Sequence, residues 1–163
     1  MGPAPEGILE AGANAPPFRL RNLAGGETAL ADLLPRAPLL LAFFKVACPV
    51  CQLTLPFLDR IHREAAGSLT VCGISQDEAE GTRDFNRRYG VTFPVLLDTD
   101  ANRYQASNAF GLSTVPSLFL VDAGGRIVWS GEGFRKLNIE MLATRAGVNP
   151  FRPGDYVPEW KAG

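Results

Sequence analysis

Two cysteines separated by two residues, Cys48 and Cys51, are the residues of this sequence best suited to chemistry. The third cysteine, Cys72, stands alone in an apolar stretch and is interpreted as a buried core residue, so a disulfide framework is excluded. A single Cys-x-x-Cys in a globular chain indicates thiol–disulfide redox chemistry or half of a metal site. The one histidine, His62, lies about 16 Å further along the predicted helix and cannot join both thiols on a metal ion. We therefore predict redox chemistry without a cofactor or metal, and interpret His62 as a surface residue.

The position of the motif assigns a role to each thiol. It follows an apolar run and begins a helical pattern, and the first turn of a helix carries unpaired N–H groups that favour a thiolate. Pro49 suits the first helical position because it has no N–H to leave unpaired. Cys51, one turn further in, is expected to be buried and protonated, so Cys48 attacks and Cys51 resolves the mixed disulfide. Pro49 and Val50 are predicted to contact the substrate.

The elements around the motif alternate between strands and helices, which predicts an α/β fold with a central mixed sheet flanked by helices. Before the motif, a weak hairpin pattern turns at Gly25-Gly26. After it, the spacing Ser75-Gln-Asp-Glu78 resembles a capping box that opens a helix ending at Gly90. Asp100 is interpreted as the N-cap of a short helix, because the Asp98–Asn102 stretch lacks the Gly and Glu of a calcium loop. The predicted strands are 39–44, 69–74, 93–97, 117–121 and 126–129, and the predicted helices are 49–66, 100–110 and 135–146.

The chain is predicted to form one domain with two extensions. Residues 1–14 are expected to be an extended N-terminal segment, 15–147 the domain, and 148–163 a proline-rich tail that packs on the domain. The apolar residues of the tail are too many for a free end. They are Phe151, Tyr156, Val157 and Trp160.

The stretch from Ala15 to Gly147 resembles the thioredoxin-like superfamily, and within it the TlpA/ResA type of thiol–disulfide oxidoreductase, a branch close to the AhpC/TSA redoxins. The resemblance rests on Phe43-Phe44-Lys-Val-Ala-Cys48-Pro-Val-Cys51, on Pro56 in the following helix, on Tyr89-Gly-Val-Thr-Phe-Pro-Val-Leu-Leu-Asp98, and on Val115-Pro116-Ser-Leu-Phe-Leu-Val-Asp-Ala-Gly-Gly-Arg126. It implies a thioredoxin fold with an N-terminal β-hairpin extension and an extra helix–strand insertion.

The resemblance also implies further site residues. Val115-Pro116 is expected to be a cis peptide facing the cysteines, with the Val115 backbone free to pair with an extended substrate and Pro116 part of the catalytic site. The tryptophan that many relatives place before the first cysteine is absent, since Ala47 stands there. Thioredoxins bury an aspartate near the motif to take up a proton, and Ala42 occupies that position.

In TlpA/ResA-type proteins a carboxylate in the loop after the next strand takes the place of that aspartate, and Asp77 is the nearest match. Asp77 is interpreted either as this proton acceptor or as a helix N-cap. If it relays protons, Asp77→Asn is expected to slow exchange and to raise the pKa of Cys51. Lys45 either reaches the thiols or is solvated, and solvation is the usual state of a lysine.

Two other activities remain open on the sequence. A peroxiredoxin needs a threonine three residues before its reactive cysteine, where Cys48 has Lys45. Two thiolates suffice for copper(I), so a copper-delivery protein is the other alternative. The predicted partners are protein dithiol or disulfide substrates and an upstream redox partner. Pro49-Val50 does not reveal whether the protein oxidises or reduces them.

Charge and hydropathy exclude several classes of partner and leave the compartment open. The net charge is −1, from 16 Lys and Arg against 17 Asp and Glu, which gives no electrostatic basis for binding nucleic acid. The longest apolar run, which ends at Phe44, is too short to cross a membrane, so no membrane insertion is expected. The N-terminus lacks the pattern of a signal peptide, which predicts a cytoplasmic protein, or a periplasmic or membrane-tethered one if a signal was removed.

Overall fold

The protein is described by a computed structural model over residues 7–163. The strands are β1 (Arg19–Asn22), β2 (Glu27–Ala29), β3 (Leu39–Phe44), β4 (Thr70–Ser75), β5 (Val95–Leu97), β6 (Ser117–Val121), β7 (Ile127–Glu132), β8 (Phe134–Arg135) and β9 (Trp160–Lys161). The helices are α1 (Leu30–Leu33), α2 (Pro49–Glu64), α3 (Ala79–Tyr89), α4 (Gln105–Ala109) and α5 (Lys136–Ala146), with short 3₁₀ turns at Leu34–Arg36 and Asp100–Asn102.

A mixed sheet forms the centre of the described residues, with the strand order β2-β1-β5-β4-β3-β6-β7. The central strand β3 is parallel to β4 and antiparallel to β6, so the strand that leads into the Cys-x-x-Cys motif has a partner on each side. The N-terminal hairpin joins the same sheet because β1 pairs antiparallel to β5. The predicted α/β fold with a central mixed sheet and an N-terminal hairpin is confirmed.

Strand β3 supplies both faces of the core, because its side chains alternate across the sheet. Leu40 and Phe44 pack among the residues of α2 and α5 on one face. Leu41 and Phe43 face the other side, where Cys72 also lies. Every residue of β3 and β4 is buried, as the continuous apolar runs predict, and this includes Cys72. The sheet thus holds the end of β3, and the motif after it, in a fixed position.

Helix α2 is tied to the sheet by polar groups as well as by apolar packing. It continues through Pro56. The buried carboxylate of Asp59 accepts hydrogen bonds from the backbone N–H groups of Thr92 (2.6 Å) and Phe93 (3.1 Å). The ring Nδ1 of His62 accepts from the N–H of Val71 (3.1 Å). His62 is therefore half-buried and bonded to a strand, and its interpretation as a surface residue is wrong.

The local capping predictions were wrong by one to three residues. Helix α3 begins after Glu78, whose side chain makes no capping bond, and Ser75 instead bonds Thr82 (2.7 Å between hydroxyls). Thr99, not Asp100, is the N-cap of the 3₁₀ turn. The predicted single helix over 100–110 is this turn followed by α4, and between them Arg103 and Tyr104 have left-handed backbone conformations (φ 61° and 51°).

The described parts of the two flanking segments, residues 7–14 and 148–163, lie against the domain, and residues 1–6 of the predicted N-terminal segment lie outside the described residues. Gly12 donates to the carbonyl of Ile127 (2.8 Å), and Ala15 donates to that of Gly125 (2.8 Å). In the tail, the ring of Phe151 packs edge-on against Phe57 (5.4 Å between centroids). Val157 also packs on the core, but Tyr156 and Trp160 are 65% and 51% exposed, in contrast to the predicted packing of all four residues. Within residues 7–163, no helix is long and apolar enough to span a bilayer.

Candidate active site

Cys48 lies at the end of the short loop that connects strand β3 to helix α2. It is the N-cap of α2, with Pro49 at the first helical position as predicted. The Cys48 sulfur accepts a hydrogen bond from the N–H of Cys51 (3.2 Å). An N–H donor and the positive end of the helix dipole both favour negative charge at this sulfur. Because Cys48 is only partly buried, a reagent from solvent can reach it.

Cys51 lies beneath Cys48 and has no exposed surface. Burial is the main reason that the pKa of its thiol lies far above the ordinary range, and the hydrogen bond with Cys48 is the next largest cause. The charges of Cys48 and Asp77 raise this pKa further. A buried, protonated thiol beneath an accessible sulfur is the arrangement expected of a resolving and an attacking cysteine. Both cysteines are in the free thiol form in this structure.

Asp77 follows β4 and points toward the loop before Cys48. Its Oδ2 accepts a hydrogen bond from the N–H of Val46 (2.8 Å), and the Val46 carbonyl in turn accepts from Nε2 of Gln52 in α2 (2.9 Å). The side chain therefore does not cap α3, and the N-cap interpretation is wrong. Its negative charge acts on Cys51 and raises the pKa of that thiol. Asp77→Asn is thus expected to lower the pKa of Cys51, opposite to the direction predicted from the sequence.

The Val115–Pro116 peptide, just before β6, faces the thiol pair. The peptide bond is cis, as the resemblance implies, and the Ala37–Pro38 bond before β3 is also cis. The Cys48 thiol donates a long hydrogen bond to the Val115 carbonyl (3.6 Å). Pro116 is buried and Val115 is half-buried. The structure thus brings Cys48, Cys51, Asp77 and the Val115–Pro116 bond into one site.

A surface cleft of about 490 Å³ opens beside Cys48. Its wall includes Lys45, which is exposed, and residues that the sequence did not single out: Gln76, Tyr104, Ser107, Asn108 and Gly163. Pro49 is exposed and Val50 is half-buried at the start of α2, but neither lines this cleft. The lining groups are mostly polar and include hydroxyl and amide side chains. The cleft is therefore suited to a polar or backbone-like ligand rather than to a hydrophobic one.

The Tyr104 and Ser107 side of the cleft is held in place by Asp98. This buried carboxylate accepts from the backbone N–H groups of Ala106 (3.2 Å) and Ser107 (2.6 Å) and from the Ser107 hydroxyl (2.6 Å). It also accepts from the amide of Asn102 (2.9 Å). Asp98 therefore fixes the start of α4. The only sequence signal of this role is the Asp98–Asn102 stretch, which resembles the opening of a calcium loop but lacks its Gly and Glu.

The described residues contain no group of three or more His, Cys, Asp or Glu side chains placed to hold a metal ion. Arg63, which bonds the buried Asp59 (2.9 Å), and His62 lie at the far end of α2 from the motif. The groups that the structure brings together at the site are two thiols, a nearby carboxylate and the backbone of a cis-proline loop.

Comparison with known proteins supports the same fold and chemistry. The model of the AhpC/TSA family matches residues 11–130. Thiol-disulfide oxidoreductase ResA of Bacillus subtilis is 30% identical over 125 residues, which cover 76% of this chain and 67% of that protein. A Mycobacterium tuberculosis protein provisionally named a peroxiredoxin is 31% identical over 130 residues, with 74% and 83% covered. This chain thus spans only about two thirds of the length of the ResA relative.

Among solved structures, the thioredoxin domain of a thiol-disulfide oxidoreductase from Bacteroides vulgatus is similar in fold. The TM-score is 0.74 at 20% sequence identity, and the similarity covers 86% of this chain and 99% of that one. At this level of identity the likeness establishes the thioredoxin fold and nothing finer.

Proposed function

The chain belongs to the AhpC/TSA family, and on that premise we propose that it is a thiol–disulfide oxidoreductase that exchanges a Cys48–Cys51 disulfide with protein dithiols. One observation carries the proposal: the accessible Cys48 sulfur accepts the N–H of a buried Cys51 at the start of α2 (3.2 Å). The cysteine pair is itself the redox group, and we propose no bound cofactor. An upstream dithiol or disulfide protein resets the pair after each cycle.

The reduction of a substrate disulfide takes two steps. The Cys48 thiolate attacks one substrate sulfur, forms a Cys48–substrate disulfide and releases the other substrate sulfur as a thiolate. Cys51 then loses its proton and attacks the Cys48 sulfur, which releases the second substrate thiolate and leaves the Cys48–Cys51 disulfide. The substrate gains two electrons and the protein loses them. Substrate oxidation is the same sequence in reverse, and the reduction potential decides which direction operates.

Asp77 is proposed to accept the Cys51 proton, and the Val115–Pro116 loop to hold an extended substrate segment beside Cys48. Pro49 and Val50, at the start of α2, are proposed to contact the substrate next to the attacked sulfur. A protein thiol partner follows from the family. We also propose a cytoplasmic location, which cell fractionation tests.

The roles of the two thiols are tested by trapping. Cys51→Ser is expected to accumulate a stable mixed disulfide with a disulfide-containing peptide, because no resolving thiol remains. Cys48→Ser is expected to trap almost nothing and to react slowly with iodoacetamide near neutral pH. Cys72→Ser, a change at a cysteine in the opposite part of the core, is the matched control and is expected to behave as the wild type. Equal trapping by Cys48→Ser would show that the roles are reversed.

A thiol peroxidase is the second candidate, favoured by the mycobacterial relative. In that reaction the Cys48 thiolate would attack hydrogen peroxide, release hydroxide and become a sulfenic acid. Cys51 would then displace water to form the disulfide. The position three residues before Cys48 holds an exposed lysine, Lys45, instead of the threonine of peroxiredoxins. Measuring peroxide consumption beside disulfide exchange separates the two activities, and exchange is expected to be the faster.

Copper delivery uses the same two sulfurs, so it requires a separate test. Anaerobic titration of the reduced protein with copper(I) measures it directly, with Cys48→Ser as the control that removes one ligand. If Cys48→Ser still binds one copper(I) ion with unchanged affinity, the cysteine pair is not the copper site.

A further inference from the structure

The end of the described chain returns to the active site. Strand β9 pairs antiparallel to β8, with Lys161 opposite Phe134, and the N–H of Lys136 donates to the carbonyl of Glu159 (3.0 Å). The chain continues from β9 to Gly163, which lines the same cleft as Cys48. Residues 160–163 therefore run along β8 into the cleft beside the attacking thiol.

Two glycines permit this path. A Cβ on Gly163 would overlap the carbonyl oxygen of Val115 and would lie 2.7 Å from Oγ1 of Thr114. A Cβ on Gly133 would lie 2.6 Å from the carbonyl oxygen of Lys161. Real Cβ contacts are not this short, so a side chain at either position would force the segment to move. Gly133 also donates to the Pro116 carbonyl (2.9 Å), which places the segment next to the cis-proline loop.

The position that this segment occupies is also needed by a substrate. Under the proposed function, an extended substrate pairs with the backbone of Val115 beside Cys48. We propose that residues 160–163 determine substrate specificity: they fill this position, so a small disulfide reaches Cys48 directly whereas an extended protein segment must first displace them. The inference rests on the proposed function for its substrate and on the Gly163–Val115 contact for its geometry.

The segment can leave without unfolding the domain, because its anchors are strong before Val157 and weak after it. Upstream, Arg60 bonds Asp155 (2.8 Å) and the Pro150 carbonyl (2.7 Å), and Phe151 packs on the core. Downstream, the β8–β9 ladder is two residues long, residues 159–163 are all exposed, and their side-chain contacts are an exposed Lys136–Glu159 ion pair (3.7 Å) and the Arg135 guanidinium over the Trp160 ring (5.7 Å). Few contacts and exposed backbone hydrogen bonds are the marks of a segment that opens locally.

Single alanine substitutions at the two glycines test the proposal in the full chain. We expect Gly163→Ala and Gly133→Ala each to raise the rate at which Cys48 reacts with an extended peptide disulfide by roughly fivefold, since the rate follows the open fraction. The rate with 2-hydroxyethyl disulfide is measured for each protein as a reference, and the ratio of the peptide rate to this reference rate is expected to rise in these two variants alone. Gly154→Ala is the matched control, because Gly154 also has a positive φ (+90°) in the tail but no atom lies within 4 Å of its Cβ.

A second measurement separates this proposal from the proposed function. Alkylation of Cys48 by a bulky polymer-linked maleimide and by iodoacetamide requires no disulfide exchange. Suppose that neither the wild type nor any variant exchanges disulfides, yet the bulky reagent alone reacts faster with Gly163→Ala. The proposed obstruction of Cys48 by residues 160–163 is then supported, and the proposed function is refuted. If neither peptide nor bulky maleimide reacts faster with Gly163→Ala or Gly133→Ala than with Gly154→Ala, the proposal is overturned. A slower peptide reaction would also overturn it, because the segment would then be part of the binding surface.

Discussion

Replacing Asp77 by asparagine removes a charge beside the thiol pair and leaves a hydrogen-bond acceptor in place. The Oδ1 of asparagine can still accept the Val46 N–H, which Asp77 now binds at 2.8 Å. The change from a charged to a neutral acceptor at one partly exposed hydrogen bond costs about 1 kcal/mol of unfolding free energy or less. The loop before Cys48 is therefore expected to keep its conformation, and only the proton chemistry is expected to change.

The structure predicts two effects of this substitution, and they change the rate of the second exchange step in opposite directions. The negative charge of Asp77 contributes to the raised pKa of Cys51, so its removal lowers that pKa, although burial keeps it above the ordinary range. More Cys51 thiolate would by itself speed the second step of exchange. If Asp77 accepts the Cys51 proton, its loss instead slows that step by about 10²-fold, the lower end of general base catalysis. The sign of the rate change therefore distinguishes a base from a bystander charge.

The second step can be measured alone. Cys48 is first converted to a mixed disulfide with thionitrobenzoate, and the coloured thiolate released by Cys51 is followed over a range of pH. Glu78→Gln is the matched control, since Glu78 is an exposed neighbouring carboxylate whose side chain makes no capping bond. Release from Asp77→Asn as fast as from the wild type, or faster, would refute the role of Asp77 as a base.

Two further predictions concern the framework of the site. His62 accepts a hydrogen bond only when its ring is neutral, and burial lowers its pKa below the ordinary 6.5. The unfolding free energy of the wild type should therefore fall as the pH drops below about 6.5. The difference in unfolding free energy between the wild type and His62→Gln should shrink over the same range by about 1 kcal/mol, the contribution of one hydrogen bond. Equal pH dependence in both proteins would contradict this. Asp98→Ala leaves two buried N–H groups unpaired, which costs about 1–3 kcal/mol for each group. Urea denaturation should therefore show an unfolding free energy lower by about 2–6 kcal/mol. A smaller decrease would mean that other contacts hold α4.

The sheet and its main helices could be predicted from the sequence because their signals are local. The run Leu39–Phe44 is apolar at every position, and the structure buries it on both faces. The helical spacing after Pro49 predicted α2 to within two residues. Both patterns report burial, which follows from the residue types alone. The Cys48–Cys51 geometry followed from the same two elements, since a strand that ends where a helix begins fixes the motif at the helix N-terminus.

The rest of the site depends on contacts between residues distant in sequence. The spacing around Ser75 fits a capping box, but the Ser75 hydroxyl bonds Thr82 and the Asp77 carboxylate bonds Val46, and no local pattern predicts either bond. Tyr104 adopts a left-handed backbone that its residue type does not predict. It does so beside a segment that Asp98 fixes through buried hydrogen bonds. Strand β9 is two exposed residues long and carries no alternation to recognise, so its return to the cleft was not foreseen.

Under the proposed function, the order of the two chemical steps follows from how each thiol affects the other. After burial, the hydrogen bond with Cys48 is the largest cause that raises the pKa of Cys51, and the charge of Cys48 adds to it. Both contributions end once the Cys48 sulfur is bonded to a substrate, because a disulfide sulfur is uncharged and accepts hydrogen bonds only weakly. Cys51 therefore becomes easier to deprotonate only after the mixed disulfide has formed. The N–H of Cys51, meanwhile, supports the charged Cys48 before attack. Under the proposed function, Cys51 thus assists the first step through its backbone N–H and performs the second through its thiol.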